Sequence, residues 1–363
     1  MVYRLVFENL KHRPVRTFLS AFLIGVQVTL ILTLVGLTDG MLGNLSESRR
    51  GTGADIMMRP TNGSLLSFSA TMDEKIVNVV RKVPHVAIAT GTLIHQVDTF
   101  GTSIAGIHLD EFNAMSGGFT FLSGGLFQRP GELIVDDVYA RSKHVHVGDK
   151  VDLGGDWTVV GIVASGKLSR TFADIKEVQE RYSSPGLVSV IWVKLDNPAN
   201  TEAVIDSLKQ RGFAEYKIDS MEQYLSLLTP DAIPLLRPFT RVVIGVGVFV
   251  GFLAVFLSMY TAVLERTREI GILKALGASP MYILAMLMRE TVLLALAGTV
   301  AGILMSYGSQ WLLRELEPTL TMSIVYAWWP GAAAVALTGS LIGALYPGLK
   351  AARQDAIEAL SYD

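Results

Sequence analysis

The side chains from which this chain could build a catalytic or metal centre are 6 histidines and 33 carboxylates, with no cysteine. Five of the histidines, His85, His95, His108, His144 and His146, fall between residues 41 and 240. His144 and His146 are two apart, so on a strand they share a face, as metal ligands do. No HExxH motif and no carboxylate–histidine cluster accompanies them, and they read as solvent-facing residues of a β edge. The lack of cysteine excludes a disulfide framework, thiolate metal sites and cysteine catalysis. No G-x-S-x-G elbow presents a nucleophilic serine, and no G-x-x-x-x-G-K-[ST] loop cradles a nucleotide phosphate. An extracytoplasmic hydrolase stays open, but none of these residues supports one, and no enzyme activity is expected of the chain.

One other segment concentrates charge, LERTREIGILKALGASP at 264–280. Arg266, Arg268 and Lys274 alternate with Glu265 and Glu269, while Ile270, Leu273 and Leu276 form an apolar stripe. The pattern is that of a short amphipathic helix. Gly277 supplies a left-handed stop, and Ser279-Pro280 supplies the N-cap and first-turn proline of the next helix. A rod of this kind can rest on lipid head groups or dock into another protein, and its residue types leave both open.

The elements that hold this segment are apolar. Half of the 363 residues are hydrophobic and 18% are charged, against about 25% charged in an ordinary soluble domain. Stretches 18–38, 242–264, 291–313 and 325–347 contain no charged residue, and each reaches the roughly 20 residues that a bilayer crossing takes. Arg4, Lys11, Arg13 and Arg16 precede the first stretch, and Lys350 and Arg353 follow the fourth. The link between the third and fourth holds Arg314 against Glu315 and Glu317. Basic residues mark the cytoplasmic side, so both termini and 264–280 are expected there. The first run exceeds a signal-peptide core, lacks a cleavage site and reads as an uncleaved anchor. Arg289 and Glu290 stand at the cytoplasmic start of the third span, where snorkelling explains them. With no charged carrier group at membrane depth and no inverted repeat, a chain that moves something must draw on a partner's energy. The net charge of −2 argues against nucleic-acid binding.

Between the first two spans the pattern changes. Residues 54–60 read as a strand, 72–83 as a helix with Ile76, Val79, Val80 and Val83 on one side, and 200–212 as a helix with a glycine stop. Turn-punctuated β runs occupy 91–109, 132–137, 149–165 and 187–195, with a hairpin at Gly154-Gly155. The Gly- and Ser-rich stretch 115–125 is expected as a mobile loop. Small-xxx-small pairs Gly247/Gly251, Gly298/Gly302 and Gly339/Gly343 in the spans permit close helix approach.

The string Arg266-Thr267-Arg268-Glu269-Ile270-Gly271-Ile272-Leu273-Lys274-Ala275-Leu276-Gly277-Ala278 resembles the signature R-x-R-E-I-G-x-L-K-A-x-G-A of FtsX-like, or MacB-type, ABC transporter permeases. Pro347, Lys350-Ala351-Ala352-Arg353 and Ile357-Glu358-Ala359-Leu360 resemble that family's ending, with Ala356 where a proline is usual. Residues 148–163 resemble the second half of its extracytoplasmic domain. The resemblance implies an α-helical membrane protein of four transmembrane helices, with a large α+β extracytoplasmic domain between helices 1 and 2.

Its expected divisions are an amphipathic helix on the cytoplasmic face (1–16, with Tyr3, Val6, Phe7 and Leu10 on one side), spans at 17–40, 241–264, 281–313 and 325–347, and the outer domain at 41–240. The coupling helix falls at 265–280, a short outer loop at 314–324 and the cytoplasmic tail at 348–363. The implied coupling surface is Glu265, Arg266, Arg268, Glu269, Ile270, Gly271, Leu273, Lys274, Leu276 and Gly277. In it Arg266, Arg268, Glu269 and Lys274 are the polar contacts, and Ile270, Leu273 and Leu276 are the apolar anchors. The implied partners are a separate ABC ATPase carrying ATP and magnesium, a second permease chain as a homodimer, and a membrane-fusion adaptor or other extracytoplasmic protein. No cofactor is implied on this chain, and the bilayer is that of the inner or plasma membrane. ATP-driven closure would then move the outer domain through the link 228–240, stiffened by Pro230, Pro234 and Pro238. The leading function is export of a small toxic molecule, peptide or lipid. A signalling lever that activates a cell-wall hydrolase, and lipoprotein extraction through an apolar loop at 64–72, are the alternatives.

Overall fold

The computed structural model describes residues 14–63, 68–97, 102–229 and 236–354. Residues 1–13 of the helix expected at 1–16, Pro230 and Pro234, residues 64–67 of the apolar loop and the tail residues Ala356 to Leu360 lie outside the described residues, while residues 14–16 begin the first long helix. The chain divides into two compact units, Met1–Gly40 with Pro234–Leu316 and Met322–Asp363, and Met41–Ile233 with Glu317–Thr321.

In the first unit the apolar runs become helices α1 (Pro14–Arg50, of which residues to Gly40 belong here), α2 (Leu236–Glu265), α4 (Pro280–Leu316) and α5 (Trp329–Arg353), with the short α3 (Thr267–Ala275) between α2 and α4. The four long helices have the length and hydropathy to cross a membrane. Exposed Trp311, Tyr326 and Trp328 cluster where α4 ends and α5 begins, as amphipathic aromatic rings do at a membrane–water boundary.

The core of this unit is aliphatic. Ile24, Val28 and Ile31 of α1 meet Val255 and Met259 of α2, Ile283, Leu287 and Leu294 of α4, and Ala332, Ala336 and Ala344 of α5. The three glycine pairs are all used inside this one chain. A Cβ on Gly302 would come within 2.6 Å of the Gly25 carbonyl oxygen, and one on Gly298 within 2.8 Å of the Ala21 carbonyl oxygen, so α4 lies directly on the α1 backbone. Thr29 makes use of that approach: its hydroxyl donates to the Gly302 carbonyl at 3.0 Å. Gly343 and Gly339 of α5 face Phe252 and Val248 of α2, and Gly251 and Gly247 face the buried Gln27 side chain of α1.

The second unit is a mixed sheet with helices on both faces. Its strands are β1 (Ile56–Pro60), β2 (Met72–Asp73), β3 (Val86–Gln96), β4 (Ser103–Ile107), β5 (Phe121–Gly124), β6 (Glu132–Asp136), β7 (Lys150–Asp152), β8 (Asp156–Val163), β9 (Thr171–Asp174), β10 (Leu187–Val188), β11 (Val190–Leu195) and β12 (Tyr216–Ser220). The order is β12-β1-β11-β3-β4-β9-β6-β8-β5, with β7 also on β8, and β2 pairs β10 separately. Pairs β4/β9 and β6/β8 are parallel, and the rest are antiparallel.

Period-two alternation sorts the strand side chains into two cores. Ile56, Met58, Ile191, Val193, Leu133 and Val135 join one face. There they pack on helices 76–80, 137–143, 175–181 and 201–208, which contribute Val77, Val80, Tyr139, Val178 and Leu208. Their neighbours Met57, Val190, Trp192 and Ile134 join the other face, against Phe112 and Met115 of helix 109–116 and Tyr224 of helix 221–226. The stretch expected as a mobile loop at 115–125 contains the end of helix 109–116, the left-handed Gly117 and Gly118, and the edge strand β5. Main-chain pairing to β8 orders it where composition alone suggested a loop.

Residues 41–50 of α1 belong to this unit, and their end is locked there. Arg49, 5% exposed, donates to the Leu168 carbonyl at 2.9 Å and stacks over Phe68 with 4.5 Å to the ring centroid, while the Leu168 amide donates to the Ser48 carbonyl.

Asp136 gives this unit a pH-dependent element. It is the N-cap of helix 137–143, accepts from the Tyr139 amide at 2.6 Å and is buried. Burial raises its carboxyl from 3.8 to about 6, against the pull of the Tyr139 amide and Arg170. The folded protein therefore binds more protons than the unfolded chain between pH 3.8 and about 6. Stability falls as pH rises through that window, by about 3 kcal/mol at most. Asparagine keeps the cap and cannot ionise. Asp136→Asn is thus expected to flatten that part of the stability–pH curve, relative to the parent chain, as read from amide hydrogen-exchange protection in β6 and helix 137–143 from pH 4 to 7. A parallel pair of curves would refute the assignment.

Candidate functional site

The charged segment at 264–280 forms a rod with defined ends. Helix α2 stops at Glu265, and Arg266 is non-helical with φ −109° and ψ 16°. Helix α3 then runs to Ala275. Its end is a Schellman motif: the Ala278 amide donates to the Leu273 carbonyl, the Gly277 amide donates to the Lys274 carbonyl, and Gly277 has φ +97°. The Ser279 hydroxyl accepts from the Tyr282 amide at 3.2 Å, and Pro280 opens α4. The helix is shorter than the expected 265–280, and α2 does not run continuously into it. A one-residue break at Arg266 turns the chain.

That break divides the expected coupling residues by face. Glu265, Arg268, Glu269, Leu276 and Gly277 are exposed, together with Ile272. Leu276 is 81% exposed and Ile272 47%. Arg266, Ile270 and Gly271 are buried, and Leu273 and Lys274 are half-buried. Arg266, expected as an outward polar contact, donates instead to Glu290 Oε2 of α4 at 3.3 Å, with side-chain exposures of 8% and 1%. Ile270, expected as an outward apolar anchor, is part of the first unit's own core. Lys274 donates to the Gln354 carbonyl just past α5. The surface that another protein could meet is therefore Arg268, Glu269, Ile272 and Leu276, spaced along one side of the rod as a helix requires.

Glu290 is the residue that sequence reasoning assigned to snorkelling. Its neighbour Arg289, at the same height on α4, is exposed, so Glu290 is buried by the face of the helix it stands on and not by its place along the chain.

The histidine pair does not form a site. His144 is a left-handed C-cap residue and His146 lies in the following loop beside Asp149, so neither is on a strand. His108 pairs with Glu74, His85 with Asp196, and His95 stacks on Tyr182. Among the described residues no three histidine or carboxylate side chains gather as a metal site.

Comparison with known proteins places both units. A model of the FtsX-like permease C-terminal region matches residues 241–356, and a model of the MacB-like periplasmic core domain matches residues 17–211. An uncharacterized ABC transporter permease of Bacillus subtilis, YknZ, is 38% identical over 124 residues, covering 33% of this chain and 30% of that protein. The macrolide export ATP-binding/permease protein MacB of Wolinella succinogenes is 24% identical over 392 residues, covering 99% of this chain and 60% of that protein. The chain thus spans about 60% of the length of that MacB relative and about 30% of YknZ. The periplasmic region of MacB from Actinobacillus actinomycetemcomitans aligns with a TM-score of 0.37 at 16% identity, over 48% of this chain and 92% of that one. The core-domain model alone takes in more than half of the sequence, and the permease model spans the helices on either side of 264–280: the chain belongs to the family of FtsX-like, MacB-type ABC transporter permeases.

Proposed function

We propose that the chain is the membrane subunit of an ATP-driven exporter, and that it converts closure of an ATPase into movement of its outer unit. The observation that carries this reading is the rod at 267–275. It is capped at its C-terminal end, fixed on its inward side, and presents Arg268, Glu269, Ile272 and Leu276 outward. Two apolar knobs flanked by a cation and a carboxylate suit a groove with a buried centre and a polar rim. No Walker loop occurs within these 363 residues, so in this reading ATP and magnesium are held by an ATPase and not by these residues. The permease would pair with a second copy of itself, with both termini and α3 on the cytoplasmic side of the inner or plasma membrane. Relatives named for macrolide export and pyoverdine export make a small molecule the favoured cargo. Stretches 18–38, 242–264, 291–313 and 325–347 carry no charged residue, which supports a lever over a conduit for charged cargo.

The test is purification of the tagged chain from its native membrane in mild detergent, with nucleotide trapped, followed by identification of what remains bound. An ABC ATPase is expected in stoichiometric amount. The combined substitution Arg268→Ala, Glu269→Ala and Leu276→Asp is expected to reduce its recovery about a hundred-fold or more, while the permease stays folded because these side chains are exposed. Recovery of no ATPase from the parent chain would leave α3 an interfacial helix and sink the exporter reading. An ATPase that binds the triple variant undiminished would sink the docking face.

A further inference from the structure

The inward side of α3 is more heavily bonded than its outward side, and docking does not account for it. Arg266 occupies the single non-helical residue between α2 and α3, the place where that corner would bend under load. Its guanidinium reaches Glu290, 1% exposed on α4. At the other end of the rod Lys274 donates to the Gln354 carbonyl, and Lys350 of α5 lies 5.2 Å over the Tyr260 ring of α2. Cationic side chains therefore tie the corner to α4 and the ends of α2, α3 and α5 to one another. Charges buried this completely are costly to desolvate, and a buried arginine–glutamate pair seldom stabilises more than packed apolar side chains of the same size. What the pair does supply is direction, because a guanidinium and a carboxylate hold a fixed geometry that sliding apolar contacts do not.

We infer that Arg266 and Glu290 form a strut that sets the angle of α3 against α2 and α4. A displacement of α3 then moves the inner ends of these helices as one body instead of being absorbed at residue 266. Arg266 is on this account a positioning residue and not a contact to the ATPase. The inference rests on the proposed exporter reading only for what pushes on α3; the strut itself is a property of the isolated chain.

The chain contains no cysteine, so paired spin labels can be introduced without background. Ile272→Cys on α3 and Ile342→Cys on α5 are both exposed. Pulsed electron paramagnetic resonance on the doubly labelled chain in lipid nanodiscs is expected to give a narrow distance distribution. Replacing the pair together, as Arg266→Met with Glu290→Met, keeps side-chain volume and leaves no buried charge behind, so the helices still pack. The distribution is nevertheless expected to widen about two-fold as the corner loosens. The reversed pair, Arg266→Glu with Glu290→Arg, is expected to narrow it again. A methionine pair as narrow as the parent, or a reversed pair as broad as the methionine pair, would overturn the strut and leave packing as the cause of the angle. Failure to find an ATPase by affinity purification would overturn the exporter reading without touching this measurement.

Discussion

Glu290→Ala is expected to destabilise the membrane unit by about 3 kcal/mol, the low end of the range for breaking a buried ion pair. The low end applies because Arg266 and Glu290 each make further interactions besides the 3.3 Å contact between them. Alanine removes the carboxylate and leaves the guanidinium, 8% exposed, in a packed apolar site with one acceptor fewer. The cost is the desolvation of a charge that folding still buries. Arg266→Met with Glu290→Met removes both charges and is expected to fall within about 1 kcal/mol of the parent, or above it. Amide hydrogen exchange in α2, α3 and α4, measured in mild detergent, separates the two. An alanine variant as stable as the parent would show that the pair carries no net interaction.

Trp192→Ala is expected to cost the outer unit about 3–5 kcal/mol, the range for deleting a buried aromatic. Trp192 lies in β11, with Met57 of β1 opposite it on one side and Thr90 of β3 on the other. It is fully buried and meets Phe68 edge-on at 6.2 Å. Phe112, Met115 and Tyr224 belong to the same core. A cavity at this central strand cannot collapse without moving both neighbouring strands. Trp192→Phe retains most of the volume and should cost about 1–2 kcal/mol. A two-unit chain has no single unfolding midpoint, so the measurement is amide hydrogen exchange in β1, β11 and β3. Exchange in Trp192→Ala no faster than in the parent would show that the other core face carries the sheet.

Much of the architecture was legible from residue order, because the signals involved are local. Four runs without charge give the spans by length and transfer energy alone. Gly277 and Ser279-Pro280 mark the end of α3 and the start of α4 by backbone conformation and capping. In the outer unit, alternation and turn residues locate β1, β6, the β7–β8 hairpin and β11. Local signals failed at 115–125, where β5 exists because β8 pairs with it; glycine-rich composition reports backbone freedom and carries no record of a partner strand.

The division of the 266–278 signature into two faces was not legible at all. The sequence by itself determined that a short charged helix stands between the second and third spans, and which residue types it carries. Only the tertiary structure decided that Arg266 and Ile270 turn inward while Ile272 and Leu276 turn outward. The break at Arg266 rotates the helix relative to α2, and its rotational setting comes from the side chains packed beneath it. Glu290 shows the same limit. Its burial comes from the face of α4 it stands on, since Arg289 beside it is exposed, and its partner, 24 positions earlier in the chain, is chosen by how α2 and α4 fold back on each other, a property of the assembled unit.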